Sequence, residues 1–220
     1  MPTMESQPSD EELYRCWATG DTAAGGRLVD RHLGRLARFF VNKVSRPSDA
    51  EELVGTTFEI IARKLGDFAG ASSFRAYLYG VAHNVLRNHL RGRRRNDREI
   101  DPEVDSVAML GPSPVTLAHE RREQRLLLEG LRQLPLELQV VLEMSYFEAM
   151  SRSEIAASLE LPEGTVASRM RRAVARLQET LARLAETPEL LQSTLHGIAD
   201  WAAALREHID AVHDAAKNPG

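Results

Sequence analysis

The chain has 220 residues, 43% of them apolar and 27% charged, with a net charge of −4 and an isoelectric point near 6.0. That is enough apolar material for one large or two small cores. The bulk charge points away from nucleic acid, so the distribution of charge has to decide. A single cysteine, Cys16, excludes an internal disulfide and a multi-cysteine zinc site, and suits a reducing cytosol. The seven histidines form no HExxH, so neither a metal site nor a cofactor is expected. The N-terminal MPTMESQPSDEEL is polar and acidic, unlike a signal peptide, and no apolar run is long enough to span a bilayer. A cytoplasmic protein without membrane contact is expected.

Apolar residues recur at three- and four-residue spacing almost throughout and strand-like alternation is missing, so the chain reads as all-α. A first helical block spans 10–95. In it Gly20-Asp21 opens a long helix carrying Leu28, Leu33, Leu36, Phe39, Phe40 and Val44, which Arg46-Pro47-Ser48 breaks. Ser48 with Glu51 reads as a capping box for a helix bearing Leu53, Phe58, Ile60, Ile61 and Leu65. After a turn at 66–70, Ser72 or Ser73 caps a helix with Phe74, Leu78, Val81, Val85, Leu86 and Leu90. Residues 96–118 hold Asp97, Glu99, Asp101, Glu103 and Asp105, then Gly111-Pro112-Ser113-Pro114, and read as an acidic, flexible linker.

The second block spans 119–186. Leu126, Leu127, Leu131 and Leu134 form one helix, ended by Pro135, and Leu138, Val141, Leu142 and Phe147 the next. Ser151 caps a short helix with Glu154 in the capping-box position, and Leu161-Pro162-Glu163-Gly164 turns the chain. Thr165 begins a long helix with Val166, Met170, Val174, Leu177, Leu181 and Leu184 on one face. Within 187–220, Thr187-Pro188-Glu189 starts an amphipathic C-terminal helix bearing Leu191, Leu195, Ile198, Leu205, Ile209 and Val212.

Between Arg87 and Arg98 lie six arginines, at 87, 91, 93, 94, 95 and 98, opposed by Asp97 alone, a footprint for phosphates. The loop before that helix, Phe68 to Phe74, is built of small residues that leave room at the backbone. Phe68 and Phe74 are assigned to the core. Tyr77 or Tyr79 remains for stacking on unpaired bases, worth about 1–3 kcal/mol per base. Ser151–Leu177 has the helix–turn–helix pattern: Ala156 is small where the helices cross, and Leu161 and Val166 fill the angle. Between 163 and 184 five arginines face two glutamates. Ser168 and Arg172 are candidates for base edges, and Arg171 and Arg176 for phosphates, which position without specifying.

Together the two blocks resemble the extracytoplasmic-function sigma factors. The resemblance rests on Gly20-Asp21 with Asp30-Arg31-His32, on DAEELVGTTFEIIARKL at 49–65, on SSFRAYLYGVAHNVLRNHLR at 72–91 and on the segment from LPLELQVVLEMSYFEAM through MRRAVARL. It implies a sigma-2-like domain at 10–95 and a sigma-4-like domain at 119–186. It implies binding of core RNA polymerase at the clamp coiled coil through Asp49, Glu51, Glu52, Leu53, Thr56 and Glu59, with the flap as a second contact. It implies capture of the −10 element of promoter DNA by Ala69, Gly70, Ala71, Ser72 and Ser73, and by Arg75, Tyr77, Asn84, Arg87, Arg91 and Arg94 on the basic helix. The −35 element falls to Thr165, Ser168, Arg169, Arg171, Arg172 and Arg176. An anti-sigma factor is a further implied partner. Gly55-Thr56 stand where the family usually has glutamine and an acidic residue, Gly25 where a large apolar residue is usual, and Ala167 where a basic residue is frequent; Gly25 is expected to soften the start of its helix. The alternative is a stand-alone helix–turn–helix regulator, which leaves the basic helix of the first block unexplained. A recombinase or transposase would need a catalytic constellation that the first block does not offer.

Overall fold

The computed structural model describes residues 7–68, 70, 72–91, 94–95, 98–99, 105–110 and 122–196. Helix α1 (Asp10–Ala18) starts at a reciprocal cap. The Ser9 hydroxyl accepts from the Glu12 N–H at 3.2 Å, and the Glu12 carboxylate accepts from the Ser9 N–H at 2.7 Å. Helix α2 (Thr22–Val41) is capped by Asp21 and buries Leu28, Leu36, Phe39 and Phe40. Gly25 seats the Trp17 indole. A Cβ at Gly25 would lie 2.7 Å from three indole atoms. Gly25→Leu is expected to cost about 1–3 kcal/mol in urea unfolding, as overpacking does, with a red shift of tryptophan emission as Trp17 moves into water. Unchanged stability and emission would count against this account.

Helix α3 (Pro47–Arg63) begins two residues earlier than a cap at Ser48 suggests. Pro47 takes the first helical position, where its missing N–H costs nothing. Ser48 is therefore inside the helix, and the expected capping box with Glu51 does not form. Arg46 flanks the helix instead, and its guanidinium meets the Asp49 carboxylate at 3.0 Å. Helix α4 (Phe74–Arg91) is capped by Ser73, whose hydroxyl accepts from the Ala76 N–H at 3.2 Å. It is described as far as Arg91. Arg94–Arg95 (β1) then pair antiparallel with Arg98–Glu99 (β2), so the basic stretch does not continue as helix to Arg95. This two-residue pair is a small departure from an otherwise helical chain.

The second block folds as α5 (Arg122–Arg132), α6 (Leu136–Tyr146), α7 (Arg152–Leu159) and α8 (Glu163–Leu184). A further helix, α9, is described over 188–196, its start capped by the Thr187 hydroxyl accepting from the Leu190 N–H at 3.2 Å. Leu126, Leu131, Leu138, Leu142, Leu177 and Leu181 form the centre of this unit, and Leu190, Leu191 and Leu195 pack on it. The rest of the expected C-terminal helix lies outside the described residues.

Most of the expected linker lies outside them too, but Asp105–Leu110 does not behave as free chain. Val107 is 2% exposed within the first core, and the Asp105 carbonyl accepts from the Leu136 N–H at 3.3 Å. Nor do the two blocks stand apart. Leu136, Val140, Val141, Met144, Met150 and Ile155 join the same apolar cluster as Leu28, Phe40, Phe74 and Leu86. Every residue of α6 from Leu136 to Met144 is buried. At the seam, α7 lies directly on α4. The Ser158 hydroxyl donates to the Ala76 carbonyl at 2.8 Å, and a Cβ on Gly80 would sit 2.8 Å from the Ser158 carbonyl oxygen.

Candidate nucleic-acid interface and the seam behind it

Helix α8 follows a turn in which Glu160 takes left-handed backbone, φ 54°, to end α7. The Ser151–Glu154 capping box forms as the spacing predicts. Val166 is 1% exposed and fills the angle between the two helices, with Leu161 packed beside it. The outer face of α8 carries Arg171, Arg172 and Arg176, all exposed. Arg176 lies 3.7 Å from Glu179, an exposed pair that contributes little. Thr165 and Ser168 are half-buried at the start of the helix, and the Ser168 hydroxyl donates to the Thr165 carbonyl at 2.9 Å. This row can meet a duplex.

Arg169 points elsewhere. Its side chain is 13% exposed and donates to Glu137 of α6 at 2.9 Å. The same carboxylate lies 3.3 Å from His83 and 3.8 Å from Arg87, both on α4. Burial would raise the Glu137 carboxyl, but His83, Arg169 and Arg87 outweigh it and hold it below the usual carboxylate range. Two of the predicted DNA contacts, Arg87 and Arg169, therefore share one buried carboxylate.

Arg75 is engaged in the same way. It donates to the Glu154 carboxylate and to the Glu148 carbonyl, each at 3.0 Å. The Ser73 hydroxyl donates to Glu154 at 2.8 Å. Burial acts to raise the Glu154 carboxyl, but the Ser151 N–H, the Ser73 hydroxyl and the Arg75 guanidinium bring it down to about 2. A carboxyl lowered in the fold stabilises it fully above its unfolded value of 4.5, and that contribution disappears as pH falls toward 2. Glu154→Gln is accordingly expected to flatten the pH dependence of stability between about 4.5 and 2, read by urea unfolding at stepped pH. An unchanged slope would reject the assignment.

Deeper in the seam, the fully buried Lys43 ammonium pairs with Glu143 of α6. It also donates to the Phe39 carbonyl at 2.6 Å and sits 3.9 Å above the Phe39 ring. Arg132 of α5 donates to the Asn42 carbonyl at 2.7 Å and to the Val44 and Val107 carbonyls at 3.3 Å. The sequence reading missed all of these. The available signal was the presence of Glu137, Gln139 and Glu143 within an otherwise apolar run.

In the small-residue loop, Gly70 has φ 75°, a conformation only glycine adopts without strain. Ser72 and Ser73 are half-buried there, while Ala69 and Ala71 lie outside the described residues. Tyr77 is half-buried against Phe68, ring centroids 5.5 Å apart. Tyr79, the other stacking candidate, is 1% exposed in the core against Phe39 and is not available to a base. Asn84 and Arg91 are exposed on α4; the Arg94 side chain lies outside the description. On α3, Glu51, Glu52, Gly55 and Glu59 are exposed and Thr56 is half-buried. Asp49 and Leu53, both 4% exposed, face inward and present no surface to a partner. Among the described residues, no three His, Cys, Asp or Glu side chains are placed to hold a metal ion. Nor is any described helix long and apolar enough to cross a membrane.

An arginine-bearing helix behind a small-residue loop, joined to a helix–turn–helix with an exposed basic row, defines a two-part DNA-binding protein. The family model for Sigma-70 region 2 matches residues 28–96, and that for Sigma-70, region 4 matches residues 124–177. The chain is 30% identical over 189 residues to the RNA polymerase sigma-H factor of Pseudomonas aeruginosa, covering 82% of this chain and 98% of that protein. It is 31% identical over 183 residues to the ECF RNA polymerase sigma factor SigE of Mycolicibacterium smegmatis, covering 80% and 71%. The solved structure of CnrH in complex with the cytosolic domain of CnrY superposes with a TM-score of 0.60 at 26% identity, covering 81% of this chain and all of that one. The chain belongs to the extracytoplasmic-function family of RNA polymerase sigma factors. It serves promoter-directed transcription initiation with core RNA polymerase.

Proposed function

We propose that α8 reads the −35 element, with Arg172 and Ser168 at base edges and Arg171 and Arg176 on phosphates. The exposed row on α8 carries this reading. The loop at 69–73 and helix α4 hold the −10 element, with Tyr77 and Asn84 toward the melted strand and Arg75, Arg87 and Arg91 toward the backbone. Glu51, Glu52 and Glu59 on α3 dock on the polymerase clamp. Residues 10–95 and 119–186 are the two functional units, 96–118 the connection and 187–220 an addition to the second. The protein works in the cytoplasm, catalyses no reaction itself and has an anti-sigma factor as a partner.

The test is in-vitro transcription with core polymerase and a pool of genomic DNA from the source organism. Discrete transcripts that require this chain are the expected result. No transcripts, together with tight duplex binding in the absence of polymerase, would favour the stand-alone regulator.

A further inference from the structure

Helix α1 lies ahead of the residues matched by the region 2 model, which begin at 28. One face of it nevertheless reaches both ends of the loop that leads into α4. At the near end the Tyr14 hydroxyl accepts from the Gly66 N–H at 3.0 Å. At the far end the Glu11 carboxylate accepts from the Phe74 N–H at 2.9 Å. That amide is one of those the first turn of α4 leaves without a helical partner. Glu11 and Tyr14 stand three residues apart, so both project from the same side of α1. Between the two bonds the loop rests on rings. Tyr14 is 2% exposed, and its ring lies 5.2 Å from that of Phe68, 5.5 Å from Phe74 and 6.3 Å from Tyr77.

Helix α1 is itself tied to α2. Asp10 meets Arg31 at 2.6 Å and His32 at 2.7 Å, and Arg31 also donates to the Pro8 carbonyl at 3.1 Å. The His32 ring in turn lies 5.7 Å from Phe74. Burying the apolar face of α1 requires none of these polar contacts. Two of its side chains are aimed at backbone amides of a distant segment, one at each end of the same loop.

We propose that Glu11 and Tyr14 are positioning residues for −10 recognition: α1 holds the two ends of the loop in place, so that the loop meets an unpaired base already in the shape that receives it. Neither side chain touches the base. A loop that has to be ordered on binding loses part of its interaction energy to that ordering, and one already held does not. Flipping a base out of its stack opposes capture, so looseness in the loop subtracts directly from recognition of that base. Contacts to the rest of the promoter are left alone. The proposal rests on the reading of this loop as the −10 site.

The grip is read first, by amide hydrogen exchange in the full chain. Tyr14→Phe keeps the ring and drops the hydroxyl, and should speed exchange at Gly66 about three- to tenfold. Glu11→Ala should do the same at Phe74, and Glu11→Gln, which keeps an acceptor, should restore most of the protection. Unchanged exchange in both Tyr14→Phe and Glu11→Ala overturns the proposal.

Function is read by in-vitro transcription with core polymerase from a promoter recovered from the genomic pool, beside templates in which each −10 base is replaced in turn. Tyr14→Phe and Glu11→Ala should lower transcription from the intact promoter about three- to tenfold. They should lower it less on the substituted templates, so that −10 discrimination narrows, with Glu11→Gln near the parent. An equal fall on every template marks a merely structural role and overturns the proposal. Ser72→Phe, which crowds the half-buried middle of the loop itself, tests the reading beneath. Parent-like discrimination in Ser72→Phe overturns the loop assignment and the proposal with it. Narrowed discrimination in Ser72→Phe, with full discrimination in the two α1 variants, leaves the loop assignment standing and overturns the proposal alone.

Discussion

Glu143→Ala is expected to lower the stability of the free protein by about 3–5 kcal/mol in urea unfolding at neutral pH, because it strands the Lys43 ammonium. That ammonium is fully buried, and besides Glu143 it has the Phe39 carbonyl and the Phe39 ring. Burial already holds Lys43 below its ordinary value, with Glu143 acting to raise it. Without the carboxylate the value falls further. The variant's deficit should therefore shrink as pH rises toward 10.5, where the unfolded chain also sheds the proton. Lys43→Met with Glu143→Leu should recover most of the loss, since an apolar pair of similar volume needs no desolvation of charge. Gln139 and Asn42 lose their acceptor in that double variant, at 2.8 and 3.4 Å, and limit the recovery. A Glu143→Ala protein within about 1 kcal/mol of the parent would show that the pair is not held in a dry seam.

Arg172→Ala is expected to cut transcription from the promoters this chain selects by roughly 5- to 150-fold, the equivalent of about 1–3 kcal/mol for a base-edge contact. The position is exposed near the middle of α8, one turn beyond Ser168, on the helix that a helix–turn–helix sets in the major groove. Arg176→Ala is the control on the same helix. It should weaken binding about equally on all sequences and lower the salt slope by about one, as loss of a phosphate contact does. Equal effects of the two substitutions on matched and mismatched −35 sequences would sink the division of roles.

Helix types were legible from spacing and caps wherever one face was apolar and the other polar. The Ser151–Glu154 box, the Asp21 cap and the row on α8 all follow that rule. Boundaries failed where a stronger local constraint intervened, as at Pro47, which pulled the start of α3 ahead of Ser48. The exposed arginines of α8 were legible because no described residue covers them, whereas Arg169 and Arg87 were not. Their partner Glu137 lies dozens of residues away in sequence, and no periodicity encodes a pairing between distant helices, whether within the second unit, as with Arg169, or between the two, as with Arg87. Tyr79, Asp49 and Leu53 failed for a related reason: motif position says which helix a residue is on, but packing decides which way it faces.

Helix α6 has no outward face, and this bears on how long the protein survives in a cell. Were the two units to part, Val140, Met144 and their neighbours would meet water along the middle of the second unit. Such a surface invites self-association and the attention of quality-control proteases, whose cutting tracks the population of opened chains.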